Sequence, residues 1–160
     1  MHELIQHTLN AYRRRWLQRQ PVYRPACSVT AEQLAAVEAL HLCRLPAQLR
    51  QWLLQVGCGS FNDDLQLHPP ALMTLVEQPG PLQGYLEIAC DNAGHGYVVA
   101  ADGSDPAIWL LGYRPHAAGP IAADFAALVA MQLPPRWRGS QSAAAPVQGE
   151  TPLWHGSATP

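Results

Sequence analysis

Apolar residues recur at helical intervals near both ends of this chain and at strand intervals between them. Ile5, Leu9, Tyr12 and Trp16 follow one another at steps of four, three and four, which predicts an amphipathic helix over residues 3–19. Arg14 lies opposite that stripe with Arg13 and Arg15 beside it, a basic face more consistent with solvation than with a nucleic-acid patch. Pro21 and Pro25 then predict an extended connector. Thr30 with Gln33 three residues on forms a capping box for a second helix, whose apolar face is Leu34, Val37 and Leu40. A third helix opens at Pro46, lines one side with Leu49, Trp52, Leu53 and Val56, and ends at Gly57 or Gly59.

The period then changes to two. Leu65 and Leu67 alternate as a short strand after an Asp63-Asp64 turn, and Ala71 to Glu77 predicts one or two helical turns. Leu86, Ile88 and Cys90 point one way along a strand and Glu87 the other. A break at Asp91-Asn92-Ala93-Gly94-His95-Gly96 leads to a second strand, Tyr97 to Ala101, and a turn at Asp102-Gly103 leads to a third, Ala107 to Tyr113. Short connections make this an antiparallel meander. Pro120 opens a last helix with Ile121, Phe125, Leu128 and Val129 inward. The expected architecture is a single α+β domain, a central and mostly antiparallel sheet with helices packed around it. Its expected parts are a basic N-terminal helix and connector (1–25), the domain proper (26–137) and a disordered Ser/Ala/Pro/Gly-rich tail (138–160).

Charge sharpens the picture. The net charge of −2 conceals a segregation: residues 26–135 carry ten acids against three bases, a balance of −7. The first 25 residues carry +4. Such an acidic body repels nucleic-acid phosphates and attracts basic protein surfaces. Lysine is absent, which reflects coding bias in a chain rich in Ala, Pro and Arg. No apolar run approaches the ~20 residues of a membrane span. No secretory leader is evident, so a cytoplasmic protein is expected. The four cysteines form no CxxC pair, and Cys43, Cys58 and Cys90 are expected as buried thiols.

Candidate chemistry is sparse. Cys90, Asp91 and His95 are the one cluster resembling a nucleophile set, but they are adjacent on a turn, and Cys90 continues an inward strand face. A structural turn is the better reading, with Gly94 and Gly96 supplying positive φ. No histidine pair has metal-binding spacing, so no metal or other cofactor is expected. Asp63, Asp64, Asp102 and Asp105 sit at turns and, as a set, suit an interface. Trp109 and Tyr113 share a strand face opposite Ile108, either packed or exposed as aromatic anchors.

In their order, these segments resemble the SUKH superfamily, the Smi/Knr-type domain named after yeast regulators of cell-wall synthesis. The resemblance runs through Thr30, Glu38 and Leu40; through Leu45-Pro46, Leu49, Trp52-Leu53-Leu54 and Gly57-Cys58-Gly59; through Leu86-Glu87-Ile88-Ala89, Asp91 and Gly94-His95-Gly96-Tyr97; and through Ile121-Ala122-Ala123-Asp124-Phe125 with Leu128. It covers roughly residues 28–132. Cys58 and the single Gly94-His95-Gly96 turn depart from the usual glycine-rich pattern. The resemblance implies an immunity protein that binds the catalytic domain of a cognate bacterial toxin, often one acting on nucleic acid, and blocks it stoichiometrically without turnover. An intracellular regulatory binding module is the alternative. The expected partner is a basic toxin domain, neither nucleic acid nor membrane. The candidate partner-binding residues are Asp63, Asp64, Glu87, Asp91, Asn92, His95, Asp102, Asp105, Trp109 and Tyr113, none of them catalytic.

Overall fold

The structure, a computed structural model, describes residues 1–15, 18–112 and 119–134; for residues 12–15, 18 and 19 it describes the backbone alone. In chain order the elements are α1 (His2–Asn10), β1 (Tyr12–Arg15), β2 (Gln18–Pro21), β3 (Tyr23–Cys27), α2 (Ala31–Leu40), α3 (Ala47–Gln55), β4 (Cys58–Phe61) and β5 (Leu65–Leu67). A 3-10 turn (Pro70–Leu72) leads to β6 (Thr74–Leu75), β7 (Tyr85–Cys90), β8 (Gly96–Ala100), β9 (Ile108–Leu111), β10 (Pro120–Ala122) and α4 (Phe125–Gln132). One antiparallel sheet runs in the order β10-β9-β8-β7-β5-β4-β3, and β6 pairs with β7 beyond the end of β5. β1 and β2 form a separate hairpin. This is the expected α+β domain, with β7, β8 and β9 as the expected meander.

The main core joins Leu34 and Val37 of α2, Leu49, Trp52 and Leu53 of α3, and Phe125, Leu128 and Val129 of α4 to Phe61, Leu65, Leu86, Ile88, Val99 and Ile108 of the sheet. Trp52 is its centre: the rings of Tyr23, Phe61 and Phe125 lie 5.1, 5.4 and 6.0 Å from it. Burying such a ring removes some 150–250 Å² from water, so this cluster dominates the drive to fold. The Thr30–Gln33 capping box forms as expected. Gly57 ends α3 with a φ of 91°, which an L side chain rarely adopts. A second, smaller cluster of Val76, Leu82 and Val98 covers part of the opposite sheet face, with Tyr85, Trp109 and Leu111 against it.

The N-terminal helix is shorter than its apolar period suggests. It ends at Asn10, and Ala11 is extended and fully buried. Ala11 accepts a hydrogen bond from Val22 N at 2.9 Å, so the two residues close the foot of the β1–β2 hairpin. Leu4, Ile5 and Thr8 face the core, while Leu9 is outward; the side chains of Tyr12, Arg13, Arg14, Arg15 and Trp16 lie outside the described residues. Instead of a connector, residues 23–27 are the outermost strand of the sheet. A boundary at residue 26 would therefore cut the domain itself. The tail, 138–160, lies outside the described residues.

Further corrections have local causes. Ala71 to Glu77 holds a single 3-10 turn and then β6. Pro120 to Ala122 pairs with β9, and α4 starts only after Asp124, whose carboxylate caps it by accepting from Ala127 N at 2.7 Å. In β7 the register with β8 shifts between Glu87 and Ala89. This bulge buries Ile88 and Ala89 in succession and turns Cys90 to the same side as Glu87, away from Leu86 and Ile88. Cys58 is no thiol: it is bonded to Cys27, its register partner across β3 and β4, with 5.4 Å between the Cα atoms. Cys43 and Cys90 are free and half-buried. Both sheet edges carry a proline and a register shift, Pro25 with Cys27 on β3 and Pro120 with Ala122 on β10. No helix among the described residues is long and apolar enough to cross a membrane.

Candidate partner-binding surface

Two turns meet at one end of the sheet. The β4–β5 turn places Asn62 and Asp63 in left-handed backbone, φ 55° and 58°, a region that Asn and Asp tolerate better than other L residues. The β7–β8 turn is built on Asp91. One carboxylate oxygen accepts from Ala93 N and His95 N, both at 2.9 Å, and the other pairs with His95 Nδ1 at 2.9 Å and accepts from Tyr97 Oη at 3.4 Å. Burial pushes this carboxyl up, but the hydrogen bonds from His95 and Ala93 outweigh it and hold the group below its ordinary 3.8. The two turns are tied together, since Asn92 Nδ2 donates to Asp63 O at 2.7 Å. Arg24 of β3 reaches Asp63 at 3.0 Å. The Tyr97 hydroxyl is pushed up by burial and then by Asp91 and Asp64.

This end thus gathers Asp63, Asp64, Asp91, Asn92 and His95 on a frame of backbone hydrogen bonds. Glu87 stands a little inward from it. It pairs with His68 Nε2 at 3.2 Å, and its carboxylate lies so near Gly96 that a Cβ there would sit 3.0 Å from it. The Glu87 carboxylate is the end of a flexible side chain and could give way, so this contact favours a glycine at 96 only mildly; Gly94 alone of the two has positive φ, 83°.

The remaining candidates are elsewhere. Asp102 and Asp105 sit in the β8–β9 connection at the far end of β8, on the order of 15 Å away along five strand residues. Asp102 Oδ1 accepts from Ser104 N and Oγ at 2.9 and 2.6 Å. Asp105 accepts from Ala107 N at 2.9 Å and from Trp109 Nε1 at 3.1 Å. Trp109 is also packed edge-on against Tyr85 at 6.3 Å, so it is held by its own fold rather than presented as a free anchor. Tyr113 lies outside the described residues. The nine candidates among the described residues therefore form two separated groups, not one patch.

Sequence reasoning missed Arg24, Asn62 and Tyr97. Arg24 was hidden by treating β3 as a connector. The signal for Tyr97 was its place two residues after His95, at the start of the strand that Asp91 anchors.

Chemically, the acidic end presents carboxylates held in two linked turns. Cys90 faces outward, which removes one argument against a nucleophile. Its thiol, however, is pushed up by burial and then by Glu87 and Asp91, opposite to the thiolate that nucleophilic attack requires. The hydrogen bond of the His95 ring goes to Asp91. Among the described residues no three His, Cys, Asp or Glu side chains are grouped so as to hold a metal ion. The chain matches no protein-family model, no curated protein and no solved structure.

Proposed function

We propose that this chain is a stoichiometric inhibitor that binds a basic enzymatic domain, a bacterial toxin of the kind the SUKH resemblance implies, and covers its active site. One observation carries the reading: Asp91 is locked by four hydrogen bonds into a turn that is itself tied to the Asp63-Asp64 turn. Carboxylates fixed before encounter steer a basic partner and lose little side-chain entropy on docking. The acidic balance of residues 26–135 supplies the longer-range field. The cytoplasm expected from the sequence is a reducing compartment; the Cys27–Cys58 disulfide suits an oxidising one better.

The test is capture of the tagged chain from its native cells, followed by an affinity and activity series on the partner obtained. A basic enzyme inhibited at a one-to-one ratio is expected. Asp64→Lys should weaken its binding at least about tenfold, and Asp102→Lys should leave it unchanged. A partner whose affinity is equal for wild type and Asp64→Lys would remove the acidic end from the interface. A partner that stays active when bound would make the chain a regulatory module instead.

A further inference from the structure

The β1–β2 hairpin is a basic arm planted beside the acidic end. Residues 4–31 hold five arginines and no acid, and four of the five, Arg13, Arg14, Arg15 and Arg19, are on the hairpin. Its strands pair with each other and with no strand of the main sheet. Its foot is fixed: Ala11 and Val22 are fully buried and bonded to each other, and Val22 O accepts from Asn62 N at 2.7 Å. Asn62 opens the β4–β5 turn, so the arm leaves the body next to Asp63. Arg24, just past the foot on β3, pairs with that aspartate at 3.0 Å.

The register within the arm sets Arg14 opposite Arg19, with Arg13 opposite Gln20 and Arg15 opposite Gln18. Like charges directly opposite one another weaken a two-stranded ribbon. Beyond Tyr12 and Pro21 at the foot, no paired residue of the arm is apolar, so the ribbon brings no hydrophobic face to the core. Two strands without such a face are marginal on their own. A carboxylate set against the Arg14–Arg19 pair would relieve the repulsion, and a guanidinium holds one with two parallel N–H···O bonds.

We propose that the hairpin and the acidic turns are two halves of one interface, and that the partner sets a cluster of carboxylates against the hairpin beside the cations it sets against the turns. The inference rests on the inhibitor reading and adds to it the sign pattern of the partner's surface. A nucleic acid fits this end less well. Phosphates following the hairpin to its foot would meet the Asp63-Asp64 turn, to which the Asp91 turn is tied, and be repelled there. A protein surface carrying both signs meets no such repulsion. Adjacent patches of opposite sign also fix the register of docking and exclude partners charged in one way only.

The test uses two variants of the full chain: Arg14→Gln with Arg19→Gln on the hairpin, and Arg44→Gln as a control beside the β8–β9 connection at the far end of β8. With the opposed charges gone, the double variant should melt no lower than wild type. A melting temperature lower by more than about 2 °C would show that these arginines serve the chain's own fold and would overturn the proposal. Against the basic enzyme captured as above, the double variant should bind at least about tenfold more weakly, and Arg44→Gln as tightly as wild type. Equal affinity of the double variant and wild type would overturn the proposal. The inhibitor reading then stands if Asp64→Lys still weakens binding, and capture of no basic enzyme removes both. Fluorescence anisotropy with a labelled DNA duplex at about 50 mM salt tests the other occupant. A duplex bound by wild type and lost by the double variant, with affinity for the enzyme unchanged, would assign the hairpin to nucleic acid and overturn the proposal.

Discussion

Replacing the Cys27–Cys58 pair, as Cys27→Ser with Cys58→Ala, should be the most destabilising change made outside the aromatic core. The two cysteines are 31 residues apart in sequence. A cross-link over that separation removes loop entropy from the unfolded chain worth about 4 kcal/mol in the chain-entropy relation. A domain of ordinary stability has about 5–15 kcal/mol in total, so the loss is a large share of it. At about 2–4 °C per kcal/mol for a chain of this size, the melting temperature should fall by roughly 10 °C. Native-state effects should be small, because β3 and β4 remain paired through Tyr23, Arg24 and Pro25 with Phe61, Ser60 and Gly59. Serine suits the exposed Cys27 and alanine the buried Cys58. Urea unfolding of the oxidised wild type, the reduced wild type and the variant forms the assay. Reductant should bring the wild type down to the variant and leave the variant unmoved. A difference below about 1 kcal/mol would refute the loop-entropy argument. Four titratable thiols in the unfolded, unreduced protein would refute the bond itself.

Asp91→Ala should cost about 2–3 kcal/mol, because the N–H groups of Ala93 and His95 lose a charged acceptor; chemical denaturation at pH 7 measures it. The folded pKa of Asp91 lies below its unfolded one, so its contribution is present above about pH 4 and is lost as pH falls through the folded value; the variant and wild type should converge there. Tyr23 has the opposite sign. Burial raises its hydroxyl to about 12, an effect that the neighbouring Trp52 side chain opposes only weakly. Stability from the neutral phenol is therefore complete below pH 10 and is lost as pH rises towards 12, by about 3 kcal/mol. Tyr23→Phe should flatten that alkaline decline while costing about 1 kcal/mol at neutral pH, through the lost bond to Gly57 O. Gly59→Ala should destabilise by at least about 2 kcal/mol, since its Cβ would meet Arg24 O and Pro25 Cα across the sheet; a melting temperature within 1 °C of wild type, about 0.3–0.5 kcal/mol, would contradict the packing.

Where local chemistry decides, the sequence was a good guide. The Thr30–Gln33 box, the left-handed Gly57 and the meander of β7 to β9 all follow from short-range signals. Where a distant partner decides, it was not. The stripe of Ile5, Leu9, Tyr12 and Trp16 carries a helical period but no stop signal, and the helix is ended by Ala11 pairing with Val22. The choice of Cys27 for Cys58 depends on strand register. The inserted residue in β7 leaves no mark in an apolar run, yet it reverses the direction of Cys90. At the candidate site, turn chemistry identified Asp63, Asp64 and Asp91. Only the topology brings the first two to the third and carries Asp102 and Asp105 to the other end. One further cue is local: Asp124 before Phe125 is an N-cap, and it places the start of α4 after the strand Pro120 to Ala122.

The two sheet edges limit how this protein can meet others. A foreign strand extends a sheet by reading an unbroken row of N–H and C=O groups. On β3 that row is interrupted by Pro25, which has no N–H, and by the slip before Cys27; on β10 it is only three residues long and starts at Pro120. Neither edge offers a template for strand addition. The same interruptions should make the folded chain a poor seed for cross-β growth. At these two edges recognition is thereby left to side chains on turns and helix faces, which can change one residue at a time without disturbing the hydrogen-bonded frame beneath them.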